Sequence, residues 1–291
     1  MDRITVERIE KDLAAMHEAI ADLANEFHKA YSEYLTLLGQ AVRQQLILAC
    51  YHVCTQGYPE RFLRLPYNQR YELQQTLRRL AYQTQEELLA QLHPPVVPAE
   101  LSPSGSSEFS GETTPSLTDS LTLIPSSPSS DKSEKPQLTP AHLAQWQQDL
   151  EEAIAQELRT ASHAANRLLQ QANILPPKLP EPILEAAARA DMSEVGGRTP
   201  NLMNLLVEAV RNEPTEKDDN DQKGHTVIHI VAIHLRLAEI EFADPAVNSA
   251  RTRIRSLLAQ LKNLGREYQK KQHNRAIAEA QAAWRASWTE E

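Results

Sequence analysis

VERIEKDLAAMHEAIADLANEFHKAYSEYLTLLGQA, residues 6–41, decides the fold class. Its apolar positions advance by alternating steps of three and four: Val6, Ile9, Leu13, Met16, Ile20, Leu23, Phe27, Ala30, Tyr34, Leu37, Ala41. That is a heptad seam carried for five repeats. Arg8, Lys11, Asp12, Glu18, Asp22, Glu26, Lys29 and Glu33 occupy most of the other faces, as a helix with one narrow apolar stripe requires. Near Tyr34 the phase slips by one residue, and a second stripe (Leu35, Leu38, Val42, Leu46, Ala49, Val53) continues toward Gly57. The spacing predicts a helix over residues 4–56, about 80 Å long at 1.5 Å per residue.

Gly57 suits a left-handed helix cap and Pro59 blocks continuation, so the chain is expected to turn there. A second helix over 66–92, with Leu73, Leu77, Leu80, Leu88 and Leu92 on one face, can fold back over the later part of the first. Two readings of the seam follow. An intramolecular bundle is the simpler, because short connections join antiparallel neighbours. Five heptads, however, exceed what the 66–92 helix can reach. The length therefore favours an intermolecular coiled coil, with Ile9, Leu13, Met16, Ile20, Leu23, Phe27 and Tyr34 joining copies in a homo-oligomer.

Between 93 and 139 the composition changes to a Ser/Pro/Thr-rich run that holds eight of the chain's 18 prolines. Its few apolar residues have no sustained period, and such a segment cannot bury enough surface to offset the entropy of ordering. The expected organisation is an N-terminal coiled-coil-like module (1–92), a disordered tether (93–139) and a C-terminal helical module (140–291). In the last, Thr139-Pro140 is a helix start, and Leu143, Trp146, Leu150, Ile154, Leu158, Ala161 and Ala165 mark one face. A proline-punctuated connector spans 176–200 and contains a short helix near 182–190. Thr199-Pro200 repeats the start signal ahead of Leu202, Leu205, Leu206, Ala209 and Val210, which read as a compact amphipathic helix. Residues 225–242 are ambiguous: β-branched content favours a strand, but Ile230, Ile233, Leu237 and Ile240 step as a helix, and the helix is preferred. Asp244-Pro245 opens the last helix, expected to run to Trp288. The chain as a whole reads as all-α, for 8 glycines and 5% aromatic residues sit beside abundant Ala, Leu, Gln and Glu.

The net charge of −9 divides into −2 over residues 1–92, −4 over the Ser/Pro run and −3 over the rest. No general pull toward nucleic acid or anionic membrane follows from that balance. An N-terminus that carries acids from its second residue is no secretory signal, and no run reaches the ~18 apolar residues of a membrane span. A cytosolic location is expected. Cys50 and Cys54, one helical turn apart, are poorly placed for a disulfide and read as reduced thiols.

Against this background, residues 251–275 stand out, with eight Lys/Arg against the single acid Glu267. Arg251, Arg255, Lys262, Arg266 and Lys270 fall within about 100° on a helical wheel. They could meet a nucleic-acid backbone or an acidic partner, or pair with acids of the same chain such as those of 213–221; the second is favoured, since apart from Tyr268, on the apolar side, no aromatic residue interleaves as a base-stacking platform. Trp284 and Trp288, one turn apart, are candidate interface anchors or packed residues of the bundle. Neither Cys50, His52 and Cys54 nor His225, His229 and His234 has a metal-ligand spacing. No phosphate loop or nucleophile elbow occurs, so no catalytic residue, metal or cofactor is expected.

Two stretches, GQAVRQQLILACYHVCTQGYPERFLRLPYNQR (residues 39–70) and LRLAEIEFADPAV with LKNLGREYQKKQ and AEAQAAWRASW (within 235–288), resemble a family of predominantly helical proteins of cyanobacteria that carries no assigned activity. The resemblance implies a helical, cytosolic bacterial protein and no site residues. The functional expectation is a non-catalytic helical scaffold or adaptor that self-associates through the N-terminal seam and binds a protein partner through the C-terminal module. A nucleic-acid-associated regulator using 251–275 is the alternative.

Overall fold

The computed structural model describes residues 2–95, 137–176, 200–210 and 225–288. Helix α1 (Asp2–His52) is continuous through the phase slip and about 77 Å long. It closes in one π-helical turn, Val53–Gly57, where the Tyr58 N–H donates to Val53 O at 2.9 Å. Gly57 does not adopt the left-handed cap. Its small size is used differently: a Cβ there would stand 3.4 Å from Val231 Cβ, on a strand that crosses the helix end.

Pro59 starts α2 (Pro59–Arg64), and Pro66 precedes α3 (Tyr67–Ala90), which returns antiparallel along the second stripe of α1. Leu73, Leu77, Ala81 and Leu88 line its buried face, and Gly39 of α1 lies against Gln85. Helix α4 (Pro140–Gln171) begins with Thr139 Oγ1 accepting from the His142 N–H at 3.3 Å, the cap expected at this Thr-Pro. Leu143, Leu150, Ile154, Leu158, Ala161, Ala165 and Leu169 bury its inner face.

Residues 202–210 and 225–233 form a hairpin instead of the expected helices. Strands β1 (Leu202–Val210) and β2 (His225–Ile233) pair antiparallel from Leu202 with Ile233 to Val210 with His225. In each, apolar residues run nearly continuously rather than along one helical stripe, and Val, Ile and Thr favour the extended backbone. The base of the hairpin is clamped by side chains. Asn166 donates to Ile233 O at 2.8 Å and accepts from Ile233 N–H at 2.9 Å, as a neighbouring strand would. Ser162 Oγ accepts from Leu235 N–H at 2.9 Å, and Tyr58 Oη from Val231 N–H at 3.0 Å. Asn201 holds a left-handed φ of 59°, accepts from Arg236 N–H at 3.2 Å and donates to Gln45 at 3.1 Å. Thr199-Pro200 thus leads into a turn before a strand, not into a helix.

A short helix, α5 (Leu237–Ala243), follows, and Asp244 caps α6 (Pro245–Trp288) by accepting from Ala246 N–H at 2.9 Å. Helix α6 runs antiparallel to α1 along most of its length: Arg253 meets Glu33, Tyr268 meets His17 at 3.0 Å and Lys271 meets Asp12. This changes the reading of the seam. Leu13, Ile20, Leu23, Phe27 and Tyr34 are buried within one chain, and Ile9 and Met16 are half-buried around Tyr268. Their covering helix comes from the other end of the same chain, which the expectation of an intermolecular coil did not weigh.

The expected separation of two modules is revised for the same reason. One core contains Phe27 and Leu38 of α1, Leu88 of α3, Ile154 of α4, Ile233 of β2 and Ile254 of α6. His93 and Thr139, the flanks of the Ser/Pro run, both lie at the start of α4, where Trp146 Nε1 donates to His93 O at 2.9 Å. The run leaves and rejoins one body at nearly the same place, so it does not hold two bodies apart. Its expected disorder falls mostly on 96–136, and the expected connector helix on 182–190, both outside the described residues.

Beyond this body, α4 starts at Pro140 beside Gly265. Toward its N-terminus α1 is accompanied by α6, and Leu13, Ile20 and Tyr268 form a small cluster of their own. Residues 7–20 and 265–288 make a two-helix arm.

Candidate functional site

The basic stretch of α6 divides into residues with different work. Arg251 turns inward. Its guanidinium makes a two-pronged ion pair with Glu151 of α4, with Nη2 3.0 Å from Oε2, and its Nε lies 3.2 Å from Glu241 Oε1 of α5, off the hydrogen-bond direction. It also stacks over the Tyr34 ring at 5.6 Å. Tyr31 donates to Glu151, and Tyr34 donates to Glu241 at 2.6 Å. Burial, followed by the neighbouring carboxylates, pushes both phenols far above their ordinary pKa. For Arg251 burial works against the charge, but the Glu151 hydrogen bonds and the surrounding negative groups outweigh it and hold the guanidinium charged. With both tyrosines fully buried and the three charged side chains half-buried, the network joins α1, α4, α5 and α6.

The rest of the stripe faces solvent. Arg255, Lys262, Arg266 and Lys270 are exposed and form no ion pair with a described residue, whereas Arg253 pairs with Glu33, Lys271 with Asp12 and Arg275 with Glu279. The acids of 213–221, expected as partners for the stripe, lie outside the described residues.

At the end of the arm, Trp284 and Trp288 are 66% and 72% exposed, with ring centroids 5.8 Å apart. They do not pack on the body. Ile277, Ala280, Gln281, Trp284 and Arg285 line a shallow depression on this face of α6.

Two features were not visible in the sequence. A cleft of about 650 Å³ opens between α4, the end of β2 and α5, lined by Arg159, His163, Met203, His234 and Leu237 among others. Several of its polar groups are engaged: Ser162 donates to Leu158 O and accepts from Leu235, Asn166 bonds Ile233, and Arg159 pairs with Glu152. Burial and the nearby His163 lower the His234 pKa, against an opposite pull from Glu239. Elsewhere, Glu157 of α4 lies beside Glu87 of α3, and burial together with that carboxylate raises its pKa to about 7. Sequence spacing could not have revealed either, since both arise from packing between separate helices.

Cys50 and Cys54 are free and buried, and burial raises both thiols, Cys54 to about 11. Among the described residues no three His, Cys, Asp or Glu side chains are grouped to share a metal ion, and no helix is long and apolar enough to cross a membrane. No protein-family model, no curated protein and no solved structure matches the chain.

Proposed function

We propose that this protein is a non-catalytic helical scaffold or adaptor of the cytosol, which works by docking a protein on the end of its α1–α6 arm. The observation that carries the reading is the exposed Trp284–Trp288 pair, held away from the body's core on a helix that outruns it. Large aromatic residues left in solvent are the usual anchors of interfaces. The self-association that the spacing predicts for the Ile9–Tyr34 seam falls, on this reading, to surfaces that the fold leaves open. A photo-crosslinking amino acid at position 284, compared in cells with one at the exposed Tyr82, tests the idea. A discrete adduct is expected from 284 alone; the same pattern or none from both positions would overturn it.

A second reading rests on the exposed Arg255, Lys262, Arg266 and Lys270, which pair with no acid among the described residues and together could follow a nucleic-acid backbone. It predicts steeply salt-dependent binding that is lost in Arg255→Glu/Lys262→Glu/Arg266→Glu. Failure of the wild type to bind nucleic acid at low salt removes it.

A further inference from the structure

What the basic stretch of α6 lacks, exposed rings among its cations, is present on α2 and the first part of α3. Residues 58–82 carry Arg61, Arg64, Arg70, Arg78 and Arg79 against Glu60 and Glu72 only, a local balance of +3 in a chain of net charge −9. Tyr58, Phe62, Tyr67 and Tyr71 interleave with these arginines.

The fold sorts this segment into an anchored part and a free one. Arg61 lies over the Tyr58 ring at 5.6 Å and donates to Ile174 O at 3.2 Å, and Arg70 lies over the Phe62 ring at 5.9 Å. Tyr58 and Phe62 are half-buried against the core, so these contacts fasten α2 to the body. On α3, by contrast, Tyr67, Tyr71, Gln74 and Arg78 fall within about 60° on a helical wheel, about 100° round from the buried Leu73, Leu77 and Ala81. All four are exposed, Tyr67 by 74% and Tyr71 by 54%. The two rings stand one turn apart, about 6 Å along the axis. Arg78 and Arg79 are exposed and pair with no acid among the described residues, and Arg64 meets only Glu60, at 3.9 Å and in full solvent.

We infer that this stripe binds single-stranded nucleic acid, with bases stacked on Tyr67 and Tyr71 and phosphates against Arg64, Arg78 and Arg79. Every base offers a π-face, so two rings beside free arginines suit any unpaired strand. A duplex keeps its base faces stacked inside and cannot use the rings. A peptide seam would need aliphatic side chains along the stripe, and Tyr67, Tyr71, Gln74 and Arg78 include none. The local excess of positive charge selects a polyanion in the same way. Charge also sets the limit of the site. Tyr82 continues the stripe, but the exposed Glu86 and Glu87 follow it one turn on and repel a phosphate backbone there. The site is independent of the Trp284–Trp288 pair and of the α6 stripe.

Fluorescence anisotropy of the full chain with a labelled oligo(dT) of about 20 nucleotides at about 50 mM salt tests the inference. Saturable binding is expected, displaced by unlabelled single strand and not by a duplex of equal length. Tyr67→Ala/Tyr71→Ala should weaken it by about tenfold or more at an unchanged melting temperature, while Tyr67→Phe/Tyr71→Phe binds like wild type, because the ring and not the hydroxyl stacks. Arg78→Gln/Arg79→Gln should weaken binding and reduce the slope of log K against log salt by about 1.4. Tyr82→Ala and Arg255→Glu/Lys262→Glu/Arg266→Glu should bind like wild type. A wild type that does not bind overturns the inference, as do full affinity in the Tyr→Ala variant and equal displacement by duplex. Binding lost in the Arg255/Lys262/Arg266 variant and kept in the Tyr→Ala variant would assign it to α6 and overturn the α3 site.

Discussion

The body and the arm are built from the same two helices, yet they are held by different means. In the body, α1 is surrounded by α3, α4 and α6, and its aromatic residues Phe27, Tyr31 and Tyr34 are fully buried. In the arm the principal cover of α1 is α6, and Leu13, Ile20 and Tyr268 form the small buried cluster that joins them. One continuous heptad seam thus passes from a many-sided core into a two-sided contact. Burial depth, not the pattern, separates a stable framework from a surface free to bind.

Substitutions can break that contrast in order of cost. Phe27→Ala should destabilise the whole chain by about 4 kcal/mol, as a large cavity in a closed core does; urea unfolding would show one transition shifted as a unit. Arg251→Ala strands Glu151 and Glu241 in a half-buried setting, at a cost of about 3 kcal/mol by the same measurement. Leu13→Ala, in the arm, should cost about 2 kcal/mol or less, because solvent is near enough to fill the space. Its mark should be local, with faster amide exchange over 7–16 and 268–280 and little change around Phe27. Equal exchange in both regions would erase the distinction between arm and body.

The smallest effect concerns pH. Glu157 has a folded pKa near 7, above the usual carboxylate value, so between about pH 4.5 and 7 the folded chain binds a proton that the unfolded chain has released. Stability should therefore fall as pH rises through that window. Because the group is only partly buried, the change is a few tenths of a kcal/mol, roughly. Glu157→Gln should flatten the profile and leave the protein slightly more stable at about pH 8. An unchanged slope in this variant would place the titration elsewhere.

Much of this was legible along the chain. Helical seams announce themselves through spacing, and Thr139-Pro140 and Asp244-Pro245 mark helix starts because capping is a local matter. What covers a seam is not local. Glu33 and Arg253 meet across 220 positions, and nothing near either residue specifies the other. Arg251 looked like a member of a solvent-facing stripe for the same reason: its carboxylate partners lie on α4 and α5. The hairpin was missed on different grounds. Leu202, Leu205 and Leu206 match a helical step, yet Met203 and Val207 fill the gaps, and a continuous apolar run is settled by what it pairs with. The Asn- and Asp-rich stretch between the two runs was the available signal for a turn. The exposed tryptophans were legible as candidates, but only the packing of α6 shows that the body leaves them in solvent.

The hydrogen bond from Trp146 to His93 O fastens one end of the Ser/Pro run close to the other. The described core already joins residues from both sides of the run, so the covalent link between the halves also acts as a supply of effective concentration. A cut anywhere in 96–136 should leave two polypeptides that remain one particle in gel filtration and separate only in denaturant. In such a protein a nick there is a change of connectivity without a change of shape.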